Sequence, residues 1–424
     1  MRRRSAARRE RRARPLTRLA LTALALWAAL GALAALPGAA SALAGPSLSV
    51  SSAILVEEST GHELYGVAPN AERAIASTTK MMTALVTLQH VRHLDQVFTA
   101  PDWYASSQDS QIGLVPGERM TVHDLMLALM LPSADDAAED LAYNVGGGSV
   151  ARFVGMMNAN ARALGLAHTH YSTPIGLDTP GNYSSASDLV KLAAYLLERN
   201  RFFARIVAEP SATLDTGPAH YVVNRNDLVA EYPWIKGVKT GHTADAGYVL
   251  VAEGVQHGMT LLSAVLGTDS ESSRDANTLA LLDWGFAHFH MATIVRAGEV
   301  LARPAIDGQP GKQAVVIAGA GFRDVLQNGT RTSVRVDVPR ELSGPQARHA
   351  VVGYALVRAQ GRTLARVRLV LARRLVAANP LTEAARFSAP SFTLSVVLVL
   401  LGLAAGLIAR QRGRSRARME RPSR

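Results

Sequence analysis

Apolar and polar positions fall into three successive textures along the chain. Around Ser59-Thr60-Gly61, short apolar stretches between Ser51 and Tyr65 flank a turn and predict two strands. Helical spacing then dominates to about Asn200. Met81, Met82, Leu85, Val86 and Leu88 follow Ser77 at helix period, Thr121 stands before 122–131, Ser133 before 134–145 and Ser149 before 150–164, while Ser187 opens a run to 201. Thr121, Ser133 and Ser149 are placed as N-caps. Strand character returns at Val222-Val223, 247–252 and 260–267, and an amphipathic helix is expected over 275–288. Strands at both ends around a helical middle make residues 45–290 an α+β domain. From Met291 the pattern alternates strictly, as in Ser333-Val334-Arg335-Val336-Asp337-Val338 and Leu364-Ala365-Arg366-Val367-Arg368-Leu369, with a turn at Gln360-Gly361. This predicts a small all-β domain over 291–380.

The two ends of the chain differ from its body. An Arg-rich opening, an apolar run from Leu19 to Leu36 and the small residues Ala42-Leu43-Ala44 match a secretory signal over 1–44. After a linker at 381–391, the uncharged stretch 392–409 would span about 27 Å as a helix, the thickness of a bilayer core. One C-terminal transmembrane helix is therefore expected, with the basic tail 410–424 in the cytoplasm and the body on the outer face of a bacterial cytoplasmic membrane.

The 424 residues are 48% hydrophobic and 19% charged, which excludes a disordered chain. A net charge of +11 would by itself suggest a nucleic-acid partner. That charge resides at the termini, however: nine Arg and one Glu in 1–18, seven Arg and one Glu in 410–424, leaving −3 between them. No nucleic acid is implied. Arg366, Arg368, Arg373 and Arg374 are read as a solvated strand face in preference to a docking site for anionic polymer or lipid. With 0 Cys, disulfides, a thiol nucleophile and thiolate metal sites are excluded.

Ser77-Thr78-Thr79-Lys80 begins a strongly apolar helix, which sets a hydroxyl and an amine three residues apart on one face. A serine hydroxyl is inert at neutral pH unless a base takes its proton, and a desolvated lysine one turn away can be that base. Alone, the same four residues are also what a capping serine and a solvated lysine produce. Two further segments decide the matter: Ser133-Ala134-Asp135 adds a second hydroxyl, and Lys239-Thr240-Gly241 adds a second ammonium beside a residue that permits close backbone approach. In this order the three are the signature of penicillin-recognising serine enzymes. Neither H-E-x-x-H nor G-x-S-x-G occurs, and the pairs His168/His170 and His288/His290 are read as structural histidines, so no metal and no cofactor are expected.

With these motifs, and with Pro174-Ile175-Gly176-Leu177-Asp178, Asn224-Arg225-Asn226 and Gly237-Val238-Lys239-Thr240-Gly241-His242-Thr243, the chain resembles the D-alanyl-D-alanine carboxypeptidases of the low-molecular-mass penicillin-binding class over roughly 47–380. The resemblance implies a β-lactamase/transpeptidase-like catalytic domain followed by the small β domain. It also implies a membrane-anchored enzyme that removes the terminal D-alanine from peptidoglycan stem pentapeptides and is acylated by β-lactams. Ser77 would be the acylated nucleophile, Lys80 its base and Ser133 a proton shuttle. Lys239, Thr240 and Gly241 would bind substrate, His242 would supply an oxyanion donor through its N–H, and Arg274 would face the terminal carboxylate unless it forms a surface salt bridge. Asp135 departs from the family's usual Asn, and an ionised carboxylate accepts hydrogen bonds but donates none. A negative charge there, near Lys80, would also raise the lysine pKa and make it a poorer base; alternatively Asp135 pairs with Lys239 or is protonated in the site. Its presence motivates a second reading, a catalytically weak module that binds stem peptides; a serine β-lactamase is a third.

Overall fold

The structure, a computed structural model, describes residues 43–106, 109–377 and 391–417. All but the last two residues of the expected signal segment, the linker from 381 to 390 and the tail beyond 417 lie outside the described residues. Residues 1–47 form one unit, of which the described part carries neither helix nor strand. The second unit begins at Leu48.

Its centre is a five-stranded antiparallel sheet of β1 (Ser52–Glu57), β2 (His62–Val67), β3 (Ile235–Thr243), β4 (Gly247–Gln256) and β5 (Met259–Thr268), in the order β2-β1-β5-β4-β3. Successive side chains leave opposite faces. Val249, Val251, Leu262 and Ala264 enter a core under the helices, whereas Leu250, Ala252, Leu261 and Val265 enter a second core with Leu281 and Leu282. Burial on both faces explains why 247–252 is an unbroken apolar run and not an alternating one.

Between β2 and β3 lie α1 (Lys80–His90), α2 (Val122–Met130), α3 (Asp135–Val145), α4 (Val150–Ala163), α5 (Ala186–Arg199) and α6 (Arg201–Val207), and α7 (Glu271–His288) covers the opposite face. Helix α1 is buried on every side from Lys80 to Thr87, as befits a helix at the centre of a core. Thr121 and Ser149 cap α2 and α4 as the sequence predicts, accepting from Asp124 N and Arg152 N at 3.2 Å. Three expectations are corrected. Helix α5 opens at Ala186 under a Ser185 cap, not at Ser187, and stops where Asn200 caps α6 in its turn. Helix α7 starts at Glu271 under a Ser270 cap, a full turn earlier than its apolar spacing suggested. Ser133 caps nothing: Ala134 takes the N-cap position and Ser133 lies before it at φ 68°, which frees the hydroxyl.

Beyond α7, β6 (Phe289–Val295) leads into β7 (Val300–Ala302), β8 (Val316–Ala318), β9 (Phe322–Gln327), β10 (Thr332–Asp337), β11 (Val351–Ala359) and β12 (Arg362–Leu371). A second five-stranded sheet runs β7-β8-β12-β11-β10 over its own core of Val316, Ala355, Val357, Val367 and Leu369. Positive φ at Gln360 and Gly361 makes the tight β11–β12 turn. The β6–β9 ribbon joins the two domains, with Val325 in the second core of the catalytic domain and His62 Nδ1 3.2 Å from Asp324 Oδ1. Helix α8 (Ser391–Ala417) carries exposed aliphatic residues, among them Leu398, Leu401 and Leu407. A further correction concerns the transmembrane helix expected over 392–409: among the described residues no helix is long and apolar enough to cross a membrane.

One glycine fixes how the helical region meets the turn that carries Ser77. Gly176 has φ 97°, and a Cβ there would sit 2.1 Å from Ala76 O and 2.8 Å from Thr79 Oγ1. Gly176→Ala therefore adds both strain and overlap, and a loss of about 2 kcal/mol or more is expected in urea unfolding. An unchanged midpoint would mean that the 174–178 segment yields without cost.

Candidate active site

Ser77 lies on a 3-10 turn, Ala76–Thr79, that runs directly into α1, so it precedes the α-helix and does not belong to it. The i to i+3 spacing still brings Lys80 Nζ to 2.9 Å from Ser77 Oγ. Lys80 is completely buried, and its amine has two further acceptors: Ile175 O at 2.8 Å and Asp135 Oδ1 at 2.5 Å. Asp135 thus pairs with Lys80. The expected nearness of its charge to Lys80 is borne out, and a pairing with Lys239 is not what the structure contains. The reason is its place at the first turn of α3, which packs against α1.

Burial holds the Lys80 amine below the usual lysine range, and the charge and hydrogen bond of Asp135 pull in the opposite direction. Hydrogen-bond arithmetic gives the neutral form a natural arrangement. A neutral amine has two N–H groups for Asp135 and Ile175 O, and its lone pair then faces the Ser77 hydroxyl as an acceptor. The ionised form donates to all three without moving. Proton transfer between Ser77 and Lys80 needs no change of partners.

Ser133 brings a buried hydroxyl, 3% exposed, and among the described residues its Oγ has no hydrogen-bond partner. Such a group ordinarily costs about 1–3 kcal/mol, a penalty that a bound substrate can relieve. Strand β3 contributes buried Lys239 and Thr240 and then Gly241. A methyl at Gly241 would lie 2.8 Å from Ser77 N and 3.0 Å from Ala76 Cβ, so glycine keeps the approach to the Ser77 N–H open. The Lys239 amine is held well below its usual range by burial first, then by Lys80 and Arg225, with Asp135 opposing and Arg274 adding to the effect. With Arg225 beside them, these amines favour an anion in the cleft, since a bound anion would also raise their affinity for protons.

Two expected residues are less directly placed. Arg274 is only 2% exposed, so it is no surface cation, yet its guanidinium is engaged by Asp275 through Nε–Oδ1 at 2.8 Å and Nη2–Oδ2 at 3.1 Å. His242 is exposed, with its ring stacked on Tyr248 at 4.0 Å between centroids.

Several contributors escaped the sequence reading as site residues. Arg225 lies beside both lysines and lines a cleft of about 550 Å³ together with Ile112, Pro132, Tyr221, Val223 and Glu271. The segment from Pro174 to Asp178 is a brace: Pro174 O accepts from Thr83 Oγ1 at 2.6 Å, Ile175 O holds Lys80, and Asp178 accepts from Thr243 Oγ1 at 2.6 Å and Asp245 N at 3.0 Å. Asp136 holds the cleft wall by accepting from the backbone N–H groups of Ile112, Gly113 and Leu114, each at 3.0 Å. Asn226 Nδ2 donates to Gly237 O at 3.1 Å and supports the start of the lysine strand. Only the asparagine and glycine types hinted at such turn and brace roles.

A serine and a buried lysine beneath an α+β sheet, faced by a second hydroxyl and a cationic strand, define a serine hydrolase of the transpeptidase/β-lactamase type. The family model described as D-alanyl-D-alanine carboxypeptidase, Peptidase_S11, matches residues 39–270. D-alanyl-D-alanine carboxypeptidase DacF of Bacillus subtilis is 33% identical over 62% of this chain and 69% of its own length. The protein DacA of Escherichia coli, with the same description, is 30% identical over 79% of this chain and 85% of its own. Among solved structures, penicillin binding protein 5 from Haemophilus influenzae superimposes with a TM-score of 0.65 at 27% identity, covering 79% of this chain and 100% of that one. The chain belongs to the D-alanyl-D-alanine carboxypeptidase family and is a serine-type carboxypeptidase.

Because Asp135 raises the pKa of Lys80, its removal lowers the pH at which the amine becomes a free base. For Asp135→Asn, the alkaline-rising limb of the Ser77 acylation rate is expected to move to lower pH by about one unit or more. Stopped-flow acylation across the pH range checks it; an unmoved limb would mean that Asp135 exerts no charge on Lys80. Stability has its own pH dependence. Glu139, Asp140 and Glu253 are each pushed by burial up to about 7, so the folded chain keeps protons that the unfolded chain has already released. Stability is fully present below the ordinary carboxyl range and lost as pH rises through about 7. The unfolding temperature is expected to fall across that window, and Glu139→Gln with Asp140→Asn and Glu253→Gln should flatten the slope; a slope that survives all three assigns it to other groups.

Proposed function

We propose that this carboxypeptidase removes the terminal D-alanine from peptidoglycan stem pentapeptides through an acyl-enzyme on Ser77. The observation that carries this reading is the Ser77 Oγ to Lys80 Nζ approach of 2.9 Å at a fully buried amine. Neutral Lys80 takes the hydroxyl proton as Ser77 Oγ bonds to the carbonyl carbon of the D-Ala-D-Ala amide. The developing oxyanion is met by the Ser77 N–H, with a second donor from His242 N–H on β3. Ser133 relays the proton to the leaving nitrogen, the C–N bond breaks, and D-alanine departs. Lys239, Thr240 and Arg225 hold its carboxylate, with Arg274 reinforcing the field from behind. Water then adds to the ester, gives its proton back through Lys80, and releases the tetrapeptide. A β-lactam enters the same first step, but its opened ring stays attached and blocks water.

The body works on the outer side of a bacterial cytoplasmic membrane, exported by the N-terminal signal and held at the bilayer surface by the aliphatic residues of α8, with no described helix crossing it. The exposed aliphatics of α8 and the seven Arg that follow the uncharged run 392–409 support that tether. A binding module without turnover is the competing reading, since the Asp135 carboxylate cannot donate to a substrate carbonyl. Labelling with a fluorescent penicillin beside Ser77→Ala, followed by D-alanine release from a diacyl-D-Ala-D-Ala peptide, decides between them. Label that depends on Ser77, with release, is expected; Ser77-dependent label with no release would favour the binding module, and no label would sink the acyl-enzyme.

A further inference from the structure

The domain boundary set by the fold divides the charge of the body sharply. Residues 45–290 hold 14 Lys and Arg against 26 Asp and Glu, a net −12, whereas 291–377 hold 14 against 5, a net +9. Much of that positive charge lies on one face of the β-domain sheet. Cross-strand partners share a face, and the pairs Arg335↔Leu356↔Arg366, Tyr354↔Arg368 and Ser333↔Arg358 therefore put Arg335, Arg358, Arg366 and Arg368 together. The intervening residues Ala355, Val357, Val367 and Leu369 fill the core on the other side, so the arginine face is the outer one. All four arginines are exposed.

Among the described residues, arginine–carboxylate pairs occur at Arg199, Arg205 and Arg274, and none involves these four. Asp337, opposite Tyr354, is a carboxylate on the same face. Arg366 Cζ lies over the Tyr354 ring at 3.6 Å from its centroid, a contact that holds the guanidinium on this face. Beside the arginines, Val351 and Val300 are 47% and 45% exposed on the same side, by their pairing with Val370 and Ile317. Like charges on adjacent strands weaken a sheet unless an anion compensates them. A flat face of arginines with aliphatic neighbours matches the phosphates and glycerol region of a lipid surface.

We infer that this face docks on anionic phospholipid headgroups of the membrane from which the chain hangs, so that the β domain lies against the bilayer while the acidic catalytic domain is repelled outward toward its substrate. This rests on the tether of the preceding section. Electrostatics favours it, because each arginine near a negatively charged leaflet adds attraction that decays within a Debye length.

The absence of cysteine allows a single probe. Full-length protein with Ser333→Cys, labelled with a fluorophore, is mixed with vesicles containing a headgroup-labelled quencher, made of phosphatidylcholine alone or with phosphatidylglycerol. Quenching is expected only with phosphatidylglycerol, declining with salt, and absent for a probe at Thr213→Cys on the catalytic domain. Replacing Arg335, Arg358, Arg366 and Arg368 by Gln should weaken the phosphatidylglycerol dependence about tenfold to a hundredfold, with D-alanine release unchanged, and replacing them by Lys should retain most of it. Flotation on phosphatidylcholine vesicles reports the tether separately. A chain that floats on both vesicles yet shows no phosphatidylglycerol-dependent quenching overturns the docking face and leaves the tether standing. Quenching indifferent to the Gln variant overturns it as well, and so does a Ser333 probe that responds to soluble polyphosphate but not to phosphatidylglycerol, which would assign the face to an anionic polymer.

Discussion

Everything at the site depends on one buried amine. Lys80 has surrendered all contact with water and receives three acceptors in exchange, each from a different part of the chain: Ser77 at the preceding turn, Asp135 at the head of α3 and Ile175 O in the brace after α4. A buried ammonium without partners would cost several kcal/mol, and losing one partner of a buried pair costs about 3–5 kcal/mol. The three elements are therefore locked to one another by the requirement to satisfy that nitrogen. Stability and chemistry impose the same geometry.

Around this point the fold arranges opposed charges in layers. Lys239 lies in the field of Lys80, Arg225 and Arg274, while Asp135, with Glu139 in its own field, is the opposing charge. Burial pushes Glu139 up to about 7, so near neutrality it is only partly ionised and adds little negative charge to that of Asp135. The cleft consequently keeps a net positive field for a carboxylate, yet the nucleophile's base is not driven wholly to the neutral form. An Asn at 135 would leave the lysine freer to lose its proton; the Asp here trades basicity at low pH for a more tightly held amine.

How legible this was in the sequence depends on the distance over which each constraint acts. Ser77 and Lys80 are three residues apart, and Lys239 to Gly241 are contiguous, so their spacing could be read directly. The motifs implied that the charge of Asp135 lies near Lys80, but the direct contact could not be read, because Lys80 lies 55 residues away and the packing of α3 on α1 brings them together. The same holds for Ile175, 95 residues from the lysine it holds through a backbone carbonyl, a group that every residue type carries. Ser133 was recognised by motif but given a capping role by local rules; its left-handed backbone, φ 68°, is set by tertiary packing and overrides them. Alternation in the β domain was plain, but which face the arginines share emerged only from the register between β10, β11 and β12.

The two domains follow a single electrostatic logic once their charges are counted separately. A catalytic domain at −12 would avoid an anionic surface, and a β domain at +9 would seek one, while the +11 of the chain as a whole hides this division because the terminal arginines dominate it. The β6–β9 ribbon links the two domains through Val325 and the His62–Asp324 contact. Charge divided in this way between linked domains gives a body a preferred direction wherever it comes within a Debye length of a charged plane.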